Sequence, residues 1–551
     1  MTTRSLSKKL SLLPALLAAV LAVGCTDTDI VYKDRDPFNP PADAASGFLG
    51  YYTSAEQQTT CGNCHADYQA AWKETAHAEA YETLHSNPGA QDFCYACHTV
   101  NGNGNAATNP IGYMQVQDST YFDVQCESCH GQGLEHVQNV NQGKVIKPLA
   151  RVSVGVRTKY ENGVYTHEVT ADTATSCASC HTGVHHPYVE QWGDSRHAYA
   201  RVGYANRAGC GNRCHEGRGV LEGWGVEPVW KEGAWSTTFD QNTTPITCAV
   251  CHDPHGGPNS SQLRFPINST DENVNLCIKC HLNRASPSPP SASSPHGPQG
   301  AVLLGFAGYR PPNFVYDTAR IYGSHASPTA NAELCAGCHV QRQTITSGGS
   351  FQLESVGHLF KPIPCLDSNG NPTGDHDCDY TATARSWNAC AKSGCHNTAT
   401  ISANVFNSTK AEVETLVSIL WKDVGGASCG GGTGPCLDPD PIDTGYLPKL
   451  KKAYPNLWTG PELSEAEGCE FNSRLTGGYD RAGHPDGSYG AHNPFLYRAL
   501  ISSCISYLAG KYPEVLPAPP AEIQALIDRW NAPVLGNAPI IAREPQPSYN
   551  H

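Results

Sequence analysis

Apolar residues in this chain seldom hold a period for long. One continuous apolar run, Leu10 to Val23, follows Arg4, Lys8 and Lys9, and no later stretch is apolar enough to suggest a membrane span. Helical patterning predicts helices over 66–85, 186–200, 410–422, 494–509 ("PFLYRALISSCISYLA") and 519–531. "GVRTKYENGVYTHEV", residues 155–169, predicts a hairpin turning at Asn162-Gly163. Glycine and proline supply 53 and 40 of the 551 residues, so the intervening stretches read as loops and turns. The expected fold class is mainly α and irregular, with short helices, long loops and little sheet.

Charge removes some partners. A formal net charge of -14 argues against nucleic acid, which would want a basic stripe, and against adhesion to an anionic surface. The basic start and apolar run have the layout of a secretory signal. Ala22-Val23-Gly24-Cys25 resembles a lipobox, so residues 1–25 are expected to be a lipoprotein-type signal with acylation at Cys25. Residues 26–52 are then a flexible tether. The expectation is an exported outer-membrane lipoprotein, facing the periplasm or the cell surface, that meets the membrane only through its lipid.

The 25 cysteines are too many for such a chain unless a metal or cofactor occupies them. C-x-x-C-H occurs as Cys61/Cys64/His65, Cys94/Cys97/His98, Cys126/Cys129/His130, Cys177/Cys180/His181, Cys248/Cys251/His252, Cys277/Cys280/His281 and Cys335/Cys338/His339. This is the attachment motif of c-type haem. Two thiols on one short loop add to the porphyrin vinyl groups, and the adjacent histidine supplies the proximal nitrogen to iron. Zinc ribbons do not require a histidine after every second cysteine. Cys210/Cys214/His215 and Cys390/Cys395/His396, in "GCGNRCHEG" and "NACAKSGCHN", keep the terminal Cys-His with a wider gap, so nine haems are expected. The porphyrins would then form much of the apolar core.

Six cysteines remain besides Cys25. Local pairing gives disulfides Cys365–Cys378, Cys429–Cys436 and Cys469–Cys504. The first would close "LDSNGNPTGDHDC", an Asx-rich turn with only a faint suggestion of calcium. Of the two methionines Met1 leaves with the signal, so Met114 alone could ligate iron as a thioether. Histidine is the alternative, since 24 are present and nine are proximal. "WKETAHAEA" and "WGDSRHAYA" place His77 and His197 five residues after Trp72 and Trp192. His136 and His255 each follow a third motif, so 61–136 and 177–255 read as two copies of a three-haem module. The tryptophans would anchor the helix, pack on a porphyrin or simply fill core. His185 or His186 is expected for the ninth distal place, with His85, His484, His167 and His376 in reserve and His551 solvated.

Cys-x-x-Cys-His followed by Trp and His-Ala, then "CESCHGQGLEH", resembles the multihaem cytochromes of the hydroxylamine-oxidoreductase superfamily. "CAVCHDPHG…NLCIKCH", at 248–281, is similar to the decahaem subunits of porin–cytochrome conduits in metal-reducing bacteria. "SSPHGPQG" (His296), "YGSHA" (His325), "VGHLFKP" (His358) and "GAHNPFLYRALI" (His492) resemble distal-ligand segments of related outer-surface cytochromes. The resemblance implies a haem domain at 53–284 with the two repeats and a seventh haem, haems eight and nine within 285–400, and a disulfide-containing region at 401–551 folding back on them.

Nine saturated low-potential haems imply electron transfer in extracellular, dissimilatory metal respiration. Other redox proteins, such as periplasmic cytochromes or a porin–cytochrome complex, or an external acceptor, would be its partners. An oxidoreductase of nitrogen or sulfur oxyanions would need an open iron, and no Cys-x-x-Cys-Lys occurs to provide one. A self-assembling filament subunit would share the conduction chemistry.

Overall fold

The computed structural model describes residues 47–531 except 106, 108–111, 155–156, 162–163, 169–175, 239, 241, 289–293, 315–323, 348, 423–443 and 477–484. Up to residue 398 the chain is a succession of helical turns joined by loops. The expected helix over 66–85 is cut into Ala66–Lys73 and Ala80–His85, with a 3-10 turn at Ala76–Glu79 between them. The one over 186–200 shrinks to Tyr188–Gly193 and a 3-10 turn at Arg196–Ala198. A hydroxyl residue causes both breaks. Thr75 Oγ1 and Ser195 Oγ donate to the carbonyls of Trp72 and Trp192, at 2.7 Å each, while their own backbones turn extended.

Sheet is confined to small antiparallel pairs. The anticipated hairpin pairs Arg157–Glu161 with Val164–Glu168, and Ala200–Arg201 adds a short third strand. A second, unanticipated hairpin pairs Gln343–Ser347 with Ser350–Ser355. The tether ends earlier than expected, because Phe48 and Leu49 are fully buried and Tyr51 begins a strand. Residues 26–46 and Cys25 lie outside the described residues.

The large side-chain core is C-terminal. Helices Ala399–Leu420, Tyr446–Ala453, Glu465–Leu475, Pro494–Lys511 and Ala521–Asn531 pack Leu416, Leu450, Phe471, Leu500 and Ile527 together. Local chemistry sets their starts. Thr398 accepts from the Ile401 N–H, Ser464 and Glu467 form a capping box, and Asn493 caps a helix with proline at its first position. The first helix begins before the expected 410, and two of the five carried no expectation. A boundary at 400/401 also fails, since that helix crosses it and Ala301, Val302 and Ala307 belong to the same core. Asn472 joins the parts through two 2.7 Å bonds with the Tyr309 backbone. Disulfides join Cys365 to Cys378 and Cys469 to Cys504, while Cys429 and Cys436 lie outside the described residues. Among the described residues no helix is long and apolar enough to cross a membrane.

Leu500 is 0% exposed. Leu500→Ala should therefore cost about 2–5 kcal/mol. It should appear as a lower urea midpoint for loss of helical circular dichroism, and an unmoved midpoint would contradict the packing described.

Candidate haem sites

Of the nine Cys-His motifs, numbered 1 to 9 in chain order, seven close the same backbone bond across different gaps. At sites 1, 4, 6, 7 and 8 the histidine N–H donates to the carbonyl of the first cysteine at 2.8–3.0 Å. His215 makes that bond to Cys210 at 3.1 Å, although one more residue intervenes, and the surplus is absorbed by a π-helical turn at Gly211–His215. His396 makes it to Cys390, again at 3.1 Å, across two extra residues. Each wide motif therefore brings its histidine back to the first cysteine, as the ordinary ones do.

A second histidine faces nearly every one of these. Ring centroids are 6.4 Å apart for His65 and His136, 6.1 Å for His130 and His255, and 6.2 Å for His181 and His77. They are 5.9 Å apart for His215 and His296, 6.4 Å for His252 and His358, and 6.3 Å for His281 and His197. His339 and His492 lie at 6.0 Å, and His396 and His325 at 6.3 Å. One metal between two imidazoles predicts this spacing: two bonds of about 2 Å plus roughly 1 Å from each nitrogen to its ring centre gives about 6 Å. His186 and His77 are both electrostatic neighbours of His98, whereas His185 stacks on Phe351 at 4.6 Å.

Second partners fix which nitrogen is free. Nδ1–H donates to a carbonyl from His98 (Ala80, 2.8 Å), His130 (Pro148, 2.6 Å), His252 (Ser261, 2.7 Å) and His339 (Phe360, 2.8 Å). His325 does so to Ala491 at 2.8 Å and His136 to Ile146 at 2.5 Å. That leaves Nε2 unprotonated for a metal. Burial lowers His181, His339 and His358 to about 4 and His197 to about 3, so these imidazoles stay neutral, the ligating form. Burial pulls His492 the same way, but the Asp486 carboxylate, 2.5 Å from Nδ1, overrides it and raises the pKa.

Space for a large group exists beside these residues. A continuous cavity of about 3220 Å³ is lined by the motifs of sites 2, 3, 4, 6, 7, 8 and 9 with most of their facing histidines. Protein interiors have few voids larger than a water molecule. Outside the C-terminal core, buried apolar residues gather only in clusters of three to five. Thiols at the edge, imidazoles on opposite sides and apolar walls fit a metal macrocycle.

Cys64 departs from the expectation of an enclosed core. It is exposed, as is Cys395, whereas the other attachment cysteines are partly covered. Neither Cys61, Cys64 nor His65 lines the large cavity. Cys64 and Cys395 are the second cysteines of the first and last motifs along the chain. Cys64 closes the 3-10 turn Cys61–Asn63, its N–H donating to the Cys61 carbonyl at 3.1 Å, so the attachment loop keeps its form at the rim.

Comparison with known proteins agrees with a haem protein. Residues 60–131 match the family "Cytochrome c554 and c-prime", and residues 243–285 match the doubled CXXCH motif. These matches support a polyhaem cytochrome. The chain is similar to the "C-type polyheme cytochrome OmcC" of Geobacter sulfurreducens, 28% identical over 34% of this chain and 25% of that one. "C-type polyheme cytochrome OmcB" of the same species is 26% identical over 34% of this chain and 28% of its own length. "Cytochrome c-554" of Nitrosomonas europaea is 34% identical over 14% of this chain and 38% of its own. The chain thus spans about a quarter of the length of the Geobacter relatives it matches. No solved structure matches it.

In this cytochrome the two tryptophans anchor their helices. Trp72 Nε1–H donates to the Val124 carbonyl at 2.9 Å, and the Val124 N–H donates to the His77 carbonyl at 3.0 Å. Trp192, Ile246 and His197 repeat this at 2.8 and 3.1 Å. Val124 and Ile246 each precede a third motif by two residues, and sequence reasoning passed over both. Asp486, which orients His492, was missed too. Its signal was an acidic residue in the loop just before that histidine.

The remaining candidates lie elsewhere. His85 stacks on Tyr81 and bonds Tyr95, His376 has no facing proximal histidine among its described contacts, and Met114 is exposed and off the cavity wall. His167 lies in a strand, and His484 and His551 fall outside the described residues. Asp367 accepts from the N–H groups of Asn369 and Asn371 and from Asn371 Nδ2, which makes the loop an Asx turn. No calcium-type cluster occurs among the described residues.

Trp72→Phe and Trp192→Phe each remove one clamp donor, at a cost of about 1 kcal/mol. The two clamps share no residue, so the double variant should lose nearly the sum in guanidinium unfolding. A double variant no worse than either single one would refute two independent anchors.

Proposed function

We propose that the cytochrome holds nine c-type haems and conducts electrons along them. The cysteine pairs of sites 1 to 9 carry the haems, including the rim pair Cys61 and Cys64, and the adjacent histidines are the proximal ligands. His136, His186, His255, His77, His296, His358, His197, His492 and His325 are the distal ligands of sites 1 to 9. The observation that carries this reading is the set of eight histidine pairs spaced 5.9–6.4 Å apart. Bound haem supplies a reversible one-electron iron couple whose potential follows its axial ligands.

The protein's own work is to close both axial positions, leaving no place for substrate, and to keep water out with apolar walls. With Met114 exposed and no other mature thioether, all nine sites are low-potential bis-histidine sites. The chain divides into two three-haem repeats, a seventh haem, and haems eight and nine tied to the C-terminal bundle. Export, acylation at Cys25 and delivery of electrons to an outer-membrane redox partner or an external acceptor complete the reading. It is supported by the N-terminal pattern and by the partial likeness to the Geobacter polyhaem cytochromes.

The mature protein should weigh nine haems more than its polypeptide, and Cys390→Ser with Cys395→Ser should remove one. The ferric protein should be wholly low-spin. His77→Ala should open the site of His181 and give a high-spin signal with all haems still attached. A fully low-spin His77→Ala variant would refute that ligand. His186→Ala tests site 2 in the same way, and a spectrum that stays wholly low-spin there would refute His186 as the ligand facing His98.

A further inference from the structure

Resting on the nine-haem reading, we infer that the sites form a spine, 1–3–4–6–7–8–9, with sites 2 and 5 as side branches on sites 4 and 7. Three kinds of contact between motifs carry this. First cysteines lie side by side at Cys61 and Cys126, Cys177 and Cys248, and Cys277 and Cys335. Second cysteines meet at Cys97 and Cys180 and at Cys214 and Cys280. Sulfur–carbonyl contacts reinforce these, from Cys97 to Ser179 at 3.9 Å, Cys214 to Cys280 at 3.8 Å and Cys280 to Arg213 at 3.6 Å. A second cysteine neighbours a first at Cys129 and Cys177, Cys251 and Cys277, and Cys338 and Cys390. The exposed second cysteines, Cys64 at site 1 and Cys395 at site 9, fall at the two ends of this spine.

The contacts repeat every three sites. First-to-first links join 1 with 3 and 4 with 6. Second-to-first links join 3 with 4 and 6 with 7. Second-to-second links attach 2 to 4 and 5 to 7. In the third step site 8 plays the part of 3 and 6, site 9 that of 4 and 7, and no branch site is present. Aromatic rings bridge three of the spine steps: Tyr68 lies 6.3 Å from His65 and 4.7 Å from His255, Tyr188 lies 5.5 Å from His181 and 4.9 Å from His358, and Phe360 lies 5.3 Å from His358 and 4.5 Å from His197.

The order differs from the order of motifs along the chain, since sites 1 and 2 are consecutive in sequence yet connect through 3 and 4. Tunnelling falls steeply with distance, so an electron moves between adjoining sites. Sites 2 and 5 adjoin one spine site each and cannot carry through traffic. They are ports at which an outside one-electron carrier can load or drain the middle of the spine.

A photosensitiser attached at Tyr52→Cys, beside site 1, can inject electrons into the full-length holoprotein. His325→Ala marks site 9 with a high-spin spectrum, so arrival there can be timed. In that background, losing spine site 6 (Cys248→Ser, Cys251→Ser) should slow arrival at least about tenfold more than losing branch site 5 (Cys210→Ser, Cys214→Ser), about 1.4 kcal/mol in barrier. Sites 3 and 2 give a second comparison if either variant fails to mature, and iron positions from anomalous diffraction of the holoprotein read the order without any variant. Equal slowing, or a site 2 or 5 iron with two near neighbours, overturns the branching. A haem count below nine in the parent protein overturns the reading on which it rests.

Discussion

Two imidazoles must stand about 6 Å apart on opposite sides of one metal, and in this chain the two always come from separate segments. That constraint organises the rest of the structure. His181 belongs to a loop that closes on its own first cysteine, whereas His77 rides a 3-10 turn more than one motif upstream. On the proposed reading, each pair is a long-range staple through a group the polypeptide does not supply. This explains how a chain with so little sheet, and with only small apolar clusters through its first 400 residues, holds a definite shape. On the proposed reading, haem is the core that side chains elsewhere provide.

On the same reading, the repeated clamps position the facing histidine. A helix that ran on through residue 77 would carry His77 away from the site 4 loop. Thr75 ends it by bonding back to Trp72, Trp72 is held by Val124, and Val124 in turn holds the His77 backbone. Ser195, Trp192 and Ile246 do the same for His197. Ala78 and Ala198, each beside its histidine, are 0% and 1% exposed.

The attachment motifs were legible in the sequence because they are local: the thiols and the adjacent imidazole lie within a few residues, whatever the gap. Their exposure was not, since Cys64 and Cys97 carry the same local motif and only the surrounding fold puts the first at the rim. The facing histidines were legible as a supply, and their sequence contexts marked most of them. Which one faces which was not, because each pairing is long-range and no local spacing encodes it. The helices were overextended because Thr75 and Ser195 look innocuous in a helical pattern while their hydroxyls compete for the backbone. The second hairpin went unread although Thr-Ile-Thr-Ser before Gly348-Gly349 carries the usual strand and turn signals. His185 stacks on Phe351, a contact from a distant strand that no local pattern encodes.

The C-terminal bundle is best understood as the end of the repeat. Sites 3 and 6 face histidines that follow a later motif, His255 and His358. Site 8 has only site 9 beyond it, and its facing histidine is His492, supplied by the bundle instead. Asp486 grips that imidazole, and Asn493 caps the helix that begins immediately after it. The residue on its other side, Ala491, offers its carbonyl to His325, which faces His396 at site 9. One short loop therefore serves both terminal sites. Repeat architectures need an end unit that satisfies what the next repeat would have satisfied, and here the unmet need is axial as well as apolar. The helices meet the apolar need with a dense side-chain core of their own, the only large one among the described residues. That rigidity is what allows a single loop to present one imidazole and orient another.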